Sequence, residues 1–136
     1  MKRSMVVMLL AGTMLFAEAT MVKDPKTGLL WEDTPHALTK ITHPKAEAYC
    51  KTLTLGGFHD WRLPTIRELL SLVDYRRYKP AMPSAFSYVE KDAFYWSATV
   101  YADDSDEYWG VNFKDGASSK AAEYYDRYVR CVRRYR

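Results

Sequence analysis

The chain has 136 residues, a hydrophobic fraction of 48% and a formal net charge of +3 at pH 7. This length predicts one domain, with enough chain for one hydrophobic core and little to spare. The small net charge does not distinguish a protein that binds polyanions from one that binds another protein.

The N-terminus has the pattern of a secretory signal peptide. Lys2 and Arg3 precede an apolar run that ends at Phe16, and a small-x-small cleavage pattern follows directly. The run is shorter than the roughly 20 apolar residues that a membrane-spanning helix needs. We predict that residues 1–19 are removed on export and that residues 20–136 form the domain. That domain would be periplasmic, secreted or at the cell surface, and not embedded in the membrane; an uncleaved anchor is the alternative.

Two cysteines, Cys50 and Cys131, are present in the chain. In an oxidising compartment, an even pair is more often a disulfide than a metal or redox site. A bridge between them would close a loop of about 80 residues, which chain-entropy estimates equate to a stabilisation on the order of 4 kcal/mol. We predict a disulfide, with a metal or redox site as the alternative.

The first predicted elements are a β-hairpin and a helix. The segments MVK at 21–23 and LLW at 29–31 flank the sequence DPKTG, which favours a turn. Thr42 can cap the helix, which we expect to end at the glycine pair 56–57. The helix face that we expect to be buried contains Ala46, Tyr49, Cys50 and Leu53.

The segment 61–74 carries the strongest helix signal in the chain. Its first five residues, WRLPT, end at Thr65, and Glu68 three residues later completes a capping box. Pro64 keeps the preceding residue extended, so that Trp61 enters on a stiff segment that packs on the core. The helix face that we expect to be buried contains Ile66, Leu69, Leu70 and Val73. Structural rather than catalytic roles are assigned to Trp61, Arg62, Pro64, Thr65 and Glu68.

The rest of the chain is predicted to be a long loop followed by strands. Residues 76–91 lose the helical periodicity and indicate an ordered loop. An acidic turn at 103–107 and a tight turn at Gly116 separate the strands. The strands are predicted at residues 94–99, 108–113 and 128–133. Strands, two helices and then strands indicate an α+β domain, in which Trp96, Trp109 and Gly116 have structural roles.

These segments resemble the Lcl C-terminal domain family. The resemblance covers nearly all of the chain after the signal peptide, in the order that the family has, and WRLPT is its most specific part. The segments that carry it are TGLLW at 27–31, WRLPT at 61–65, ELL at 68–70, YWSAT at 95–99, VNFKDG at 111–116 and VRCVR at 129–133.

Membership in that family implies a C-type-lectin-like fold. In such a fold two helices pack on short antiparallel strands, the N- and C-terminal strands pair, and a cysteine of the first helix is bridged to the last strand. Cys50 and Cys131 match that bridge. The best-known member is the C-terminal domain of a bacterial collagen-like adhesin, which trimerises and binds sulfated glycosaminoglycans. The resemblance therefore implies a glycan-binding role and a trimer.

The sequence contains no recognisable catalytic motif. It has no GxSxG elbow, no phosphate-binding glycine loop and no two histidines at helical ligand spacing, because His36, His43 and His59 are scattered. We predict no catalytic residue, no metal and no cofactor. The family's fold class also includes sulfatase-activating oxidases, which need a free cysteine pair, so an enzyme of that kind is the least favoured alternative.

The acidic run 103–107 has carboxylates of the kind that calcium prefers. It lacks the glycine and the spaced terminal glutamate of an EF-hand loop, and the EPN, QPD and WND motifs of calcium-dependent lectins are absent from the sequence. We predict a solvated turn and leave calcium binding open.

Basic residues are concentrated at the C-terminus. Guanidinium groups bind sulfate and phosphate through paired donors, and aromatic rings stack on sugars. We predict ligand contacts at Arg127, Arg133, Arg134, Tyr135 and Arg136. The alternative is that these charges protect the edge of a terminal strand from aggregation, and Arg130 is expected to be an internal ion-pair partner.

The sequence thus predicts an exported, non-enzymatic binding module whose partner is a sulfated or other polyanionic glycan. The competing hypothesis is an envelope subunit that binds another protein and no glycan. Nucleic acid is not expected as a partner after export.

Overall fold

Eight strands and two α-helices form the fold of residues 20–135, the part of the chain that the computed structural model describes. The predicted signal peptide, residues 1–19, and Arg136 lie outside these residues. The fold is α+β, as predicted. The helices are α1 His43–Thr52 and α2 Ile66–Leu70. The strands are β1 Met21–Asp24, β2 Leu29–Glu32, β3 Lys40–Ile41, β4 Phe94–Tyr101, β5 Asp104–Asn112, β6 Ala117–Ala122, β7 Arg127–Tyr128 and β8 Val132–Arg134.

A three-stranded antiparallel sheet, in the order β1-β2-β8, joins the two ends of the domain. The predicted hairpin is confirmed, because β1 pairs with β2 through the turn at residues 25–28. In that turn, Asp24 accepts hydrogen bonds from the backbone of Lys26 and the hydroxyl of Thr27. β2 then pairs with the last strand, with Trp31 opposite Val132.

A five-stranded mixed sheet, in the order β3-β7-β4-β5-β6, forms the second layer. The sequence ASSKAA of β6 has little strand propensity, and no strand was predicted there. It pairs with β5 over six residue pairs because the tight turn at Gly116 returns the chain along that strand. Gly116 has a φ of +90°, and a Cβ at this position would lie 2.4 Å from Cγ1 of Val73, so glycine is required.

The prediction of one terminal strand at 128–133 is wrong. The segment divides into β7, in the mixed sheet, and β8, in the three-stranded sheet, with residues 129–131 between them. Val129, Arg130 and Cys131 are all fully buried. A strand with one solvated face would expose every second side chain, whereas this stretch must bury three in succession and so leaves the sheet.

The prediction of an acidic turn at 103–107 is also wrong in its extent. The turn itself is only residues 102–103, and Asp104 through Glu107 belong to β5. Pairing with β4 continues to Tyr101 opposite Asp104, through a bulge near Val100. Glu107 also forms an ion pair with Lys120 on β6, with 2.8 Å between Oε1 and Nζ.

Helix α1 holds one half of the disulfide. Thr42 occupies the N-cap position as predicted, although its side chain makes no capping hydrogen bond. The helix ends at Thr52, before the glycine pair, because Leu53 is already extended. The bridge between Cys50 and Cys131 is confirmed, with a Cα–Cα distance of 5.5 Å. It joins α1 to the residue that precedes β8.

Helix α2 begins with the predicted capping box. The Thr65 hydroxyl accepts from the Glu68 amide at 3.1 Å, and Glu68 Oε1 accepts from the Thr65 amide at 2.9 Å. The helix is shorter than the periodicity predicted, because the amides of Leu72 and Val73 bond three residues back and tighten the last turn. The predicted apolar face does pack into the core.

The core lies between the sheets and the helices as two apolar clusters. One is built around Trp31, Leu69 and Phe113, and the other around Trp61, Trp96 and the disulfide. The predicted loop 76–91 has no regular element, but it buries Met82 and Phe86 in the first cluster. Within residues 20–135, no helix has the length and apolar character needed to span a bilayer.

Candidate functional site

The structure distributes the predicted C-terminal ligand residues over different surfaces. Arg127 lies in β7, whereas Arg133 and Arg134 lie in β8 of the other sheet, and Tyr135 follows them. Side chains alternate along a strand, so Arg133 and Arg134 lie on opposite faces of the three-stranded sheet. The basic residues that are close in sequence therefore do not form one cluster among the described residues.

Arg133 is already bound within the protein. Its Nε and Nη2 donate to the two carboxylate oxygens of Asp60 at 2.5 and 3.1 Å, and its guanidinium lies 3.8 Å from the ring centroid of Phe58. The hydrogen bonds from Arg133 lower the pKa of Asp60. Arg134 is exposed, and the ion pairs within residues 20–135 do not include it. Arg134 is therefore the more available of the two cations.

Arg130 is fully buried and, as predicted, is an internal ion-pair partner. Its Nη1 donates to the Glu32 carbonyl at 2.7 Å and to Asp33 Oδ1 at 3.3 Å, and its Nη2 donates to the Tyr88 carbonyl. The Asp33 carboxylate also accepts the amides of Ser87 and Tyr88. Arg130 and Asp33 together attach the loop 76–91 to β2, which is a structural role.

Glu32 is a second buried carboxylate that sequence reasoning missed. Its Oε1 accepts the Cys131 amide at 3.0 Å, and its Oε2 accepts the hydroxyls of Thr34 and Tyr49. Burial and the adjacent Glu32 carboxylate raise the pKa of Tyr49. A glutamate at the end of a strand ordinarily indicates an exposed position, so the sequence carries no signal for this contact.

A cleft of about 520 Å³ opens between the β1–β2 hairpin and the loop that follows α2. Binding sites for small ligands commonly have volumes of roughly 300–1,000 Å³. Core residues form the apolar part of its wall, among them Trp31, Leu72 and Phe86. Tyr75 also lines the cleft, and 76% of this residue is exposed to solvent. The cleft therefore combines an apolar wall with an exposed aromatic ring.

The polar residues of the cleft leave an excess of available positive charge. Asp24 is held by the hairpin turn, and the Asp74 carboxylate accepts both the amide and the guanidinium of Arg76 at 3.0–3.1 Å. Lys23 and Lys26 line the same cleft, and no ion pair within residues 20–135 includes either of them. Lys23 Nζ lies 4.9 Å from the ring centroid of Tyr135, so Lys26 is the more available of the two. Sequence reasoning missed both lysines, although their places beside the predicted hairpin turn were a signal.

Arg134 lies on the sheet face that leads to this cleft. It is opposite Leu29 in β2, and Leu29 is opposite Asp24 in β1, so the three residues form one row across the sheet. Neighbouring strands are about 4.8 Å apart, which places Arg134 roughly 10 Å from Asp24 at the level of the backbone. Arg133 shares the other sheet face with Lys23, through Leu30, but it is bound to Asp60, so Arg134 is the predicted ligand residue that lies on the face of the cleft residue Asp24.

The WRLPT segment makes its contacts inside the fold. The Trp61 indole is buried and donates to the Leu55 carbonyl at 3.0 Å. Arg62 pairs with Val132 through its backbone, and its guanidinium donates to both carboxylate oxygens of Glu68 at 2.7 and 2.9 Å. The carbonyl of Pro64 accepts the amide of Ala98 at 2.7 Å.

The other two tryptophans assigned structural roles lie on β4 and β5. Trp96 is fully buried, and its indole donates to the Ile41 carbonyl at 3.0 Å. Trp109 is half-buried, its carbonyl accepts the Ser97 hydroxyl at 2.6 Å, and its ring lies edge-on to Tyr101. Trp96 thus connects β4 to β3, with β7 between them, and Trp109 connects the neighbouring strands β5 and β4.

The three histidines have different surroundings. His36 stacks on Tyr49, His59 is exposed, and His43 is buried between Tyr108, whose ring it stacks on, and the edge of Trp96. In the part of the chain described here, no group of three or more His, Cys, Asp or Glu side chains is arranged to hold a metal ion.

Acidification is expected to destabilise the fold through His43, whose pKa burial holds below the ordinary value of 6.5. The hydrogen bond to Ser97 and the carboxylates of Glu47 and Glu123 oppose this shift without reversing it. As the pH falls, the unfolded chain is therefore protonated at this residue before the folded chain. The stability that neutral His43 contributes is complete above pH 6.5 and is lost as the pH falls from there to the folded-state pKa.

Urea unfolding measured between about pH 8 and pH 5 tests this linkage. The variant His43→Gln should lose less free energy of unfolding over that range than the parent does. His59→Gln, at an exposed position, is the matched control and should follow the parent. A pH slope that is the same in His43→Gln and in the parent would contradict the assignment.

A family model described as the Lcl C-terminal domain matches residues 20–133. The matched range includes both cysteines of the bridge, the WRLPT segment and all the residues that line the cleft. Arg134 and Tyr135 follow it in the chain. No curated protein matches the sequence.

Proposed function

Because the chain belongs to the Lcl C-terminal domain family, we propose that it is an exported, non-enzymatic module that binds sulfated or other polyanionic glycans. The family is that of an adhesin-related C-terminal domain. On this proposal, residues 1–19 are a signal peptide, the protein is periplasmic or at the cell surface, and the fold is C-type-lectin-like. The trimer that the resemblance implies stays a prediction.

The positive rim of the cleft is the observation that carries this proposal. Lys23 and Lys26 have no ion-pair partner within residues 20–135, and the two carboxylates beside them already accept local hydrogen bonds. A sulfate or carboxylate group of a glycan would meet cations there without displacing a protein anion. The exposed ring of Tyr75 provides a flat surface on which the sugar can pack.

A non-enzymatic role agrees with the state of the cysteines. A sulfatase-activating oxidase needs a free cysteine pair, whereas Cys50 and Cys131 are bridged and fully buried. The chain contains no other cysteine. The available features of the cleft are charge and an aromatic surface, which suit binding.

Retention on a column of immobilised sulfated polysaccharide tests the proposal. The double variant Lys23→Gln with Lys26→Gln should elute at clearly lower salt than the parent, because it lacks two cations that would pair with the polysaccharide. Salt weakens such exposed ion pairs, since charges are screened over about 8–10 Å at physiological ionic strength. Adding Arg134→Gln should lower the elution point further. Lys45→Gln with Lys51→Gln is the matched control, since it removes two exposed lysines from α1, outside the cleft.

The outcomes of this experiment separate the hypotheses. Equal losses in the two double variants would mean that net charge, and not the cleft, determines retention. A parent protein that is not retained at low salt would overturn glycan binding and favour a protein partner in the envelope. Chelator should leave the retention of the parent unchanged, and melting temperatures should show that every variant is folded.

A further inference from the structure

Four planar groups form a continuous series of contacts that runs from the core to solvent on the β7 side of the mixed sheet. The Phe94 ring packs edge-on against buried Trp96, with 5.6 Å between centroids. The Arg127 guanidinium lies 5.8 Å from the Phe94 centroid and 5.2 Å from that of Tyr125. Tyr125 in turn lies 5.0 Å from Tyr124. We refer to Phe94, Arg127, Tyr125 and Tyr124 as the aromatic–arginine stack.

The outer end of this stack contributes little to the hydrophobic core. Tyr124 is 70% exposed and Tyr125 is 50% exposed, although large aromatic side chains ordinarily bury most of their area. The backbone nevertheless holds them in place, because the Tyr125 amide donates to the Ala122 carbonyl at 3.1 Å and Arg127 pairs with Ile41 of β3. The rings are therefore presented to solvent by an ordered segment.

The guanidinium within the stack retains its capacity to bind an anion. One of its nitrogens, Nη1, donates to the Asp126 carbonyl at 2.9 Å. No ion pair within the described range 20–135 includes Arg127, so aromatic faces rather than a carboxylate hold it. A guanidinium has five N–H donors, most of which remain for a ligand. A fixed cation beside exposed rings suits a ligand that is both anionic and ring-shaped.

We propose that the aromatic–arginine stack is a second contact for the acidic glycan, which rests on the proposed function. The sugar ring packs on the exposed rings of Tyr124 and Tyr125, and its sulfate or carboxylate group accepts hydrogen bonds from Arg127. The two centroid distances place Arg127 and Tyr124 within a single short stretch of glycan chain. This contact is separate from the cleft, since none of the four stack residues lines it.

The dissociation constant for heparin, measured by calorimetry at several salt concentrations, tests this contact. Tyr124→Leu removes a ring without changing charge, and we expect it to weaken binding about tenfold at every salt concentration. Arg127→Ala should weaken binding and also reduce the salt dependence, because it removes a cation that binds the polyanion. Arg127→Lys keeps the charge but loses the planar fork, and it should restore the salt dependence but not the full affinity.

Tyr78→Leu is the matched control, because it removes another exposed tyrosine that lies outside both the stack and the cleft. It should leave the affinity within about twofold of the parent. If the parent binds heparin and neither Tyr124→Leu nor Arg127→Lys changes the dissociation constant, the stack is not a glycan contact and the cleft proposal stands. If the parent does not bind heparin at low salt, both proposals are overturned.

Discussion

Replacing Cys50 and Cys131 together with alanine is expected to lower the free energy of unfolding by about 4–5 kcal/mol. The bridge joins residues that are 81 positions apart, so its loss greatly increases the conformational freedom of the unfolded chain. Total stabilities of single domains are commonly about 5–15 kcal/mol, so the variant should be close to its folding threshold.

The position of α1 makes the folded state dependent on this bridge as well. Within the helix, His43, Ala46 and Cys50 are the buried residues, and the bridge attaches Cys50 to the chain just before β8. We therefore expect α1 to be the first element that is released when the bridge is absent.

Urea unfolding of the double variant, compared with the parent in the presence and absence of a reductant, measures the effect. The reduced parent should resemble the double variant. Hydrogen exchange should show the largest loss of protection in α1. A double variant as stable as the oxidised parent would show that the bridge does not stabilise this fold.

Replacing Arg130 with alanine should cost about 3–5 kcal/mol, because it leaves the Asp33 carboxylate buried without its cation. Asp33 is 2% exposed and Arg130 is fully buried, so water cannot replace the lost partner. The variant also loses the hydrogen bonds from Arg130 to the carbonyls of Glu32 and Tyr88. The loop 76–91 should then become sensitive to proteolysis, since these bonds attach it to β2.

A double-mutant cycle separates the buried charge from the packing. Arg130→Met with Asp33→Asn removes both charges and keeps similar volumes, so it should cost less than the sum of the two single changes. Arg133→Ala is the matched control, because its partner Asp60 is largely exposed, and it should destabilise far less than Arg130→Ala. Equal effects of the two arginine variants would contradict the assignment of Arg130 as the internal one.

Local sequence signals were sufficient for the elements whose partners are near in the chain. Thr65 and Glu68 are three residues apart, so their capping box depends only on a helix starting there. The hairpin of β1 and β2 likewise depends on one short turn. The two cysteines paired as expected, because no other thiol was available. The six segments that resemble the family, WRLPT among them, predicted the family that the match over residues 20–133 confirms.

The extents of elements depended on partners that are far away in the chain. α2 ends early, and β6 forms in a weak strand sequence, because neighbours in the sheets and the Gly116 turn decide where each element can continue. The segment 128–133 was predicted as one strand because its local pattern suits one. It divides because Arg130 must reach Asp33 and Tyr88, and no local rule contains that requirement.

The resemblance of its segments predicted the family, the even pair of cysteines predicted the bridge, and the composition of the last residues showed the basic character of the C-terminus. The tertiary structure decided which cations remain available: Arg130 is buried, Arg133 is bound to Asp60, and Arg134 and Arg127 lie on different sheets. It also brought Lys23 and Lys26 together with the loop that follows α2 to form the cleft. The physical reason is that a cation is available to an anionic ligand only if no protein anion already pairs with it, and those pairs are set by the fold.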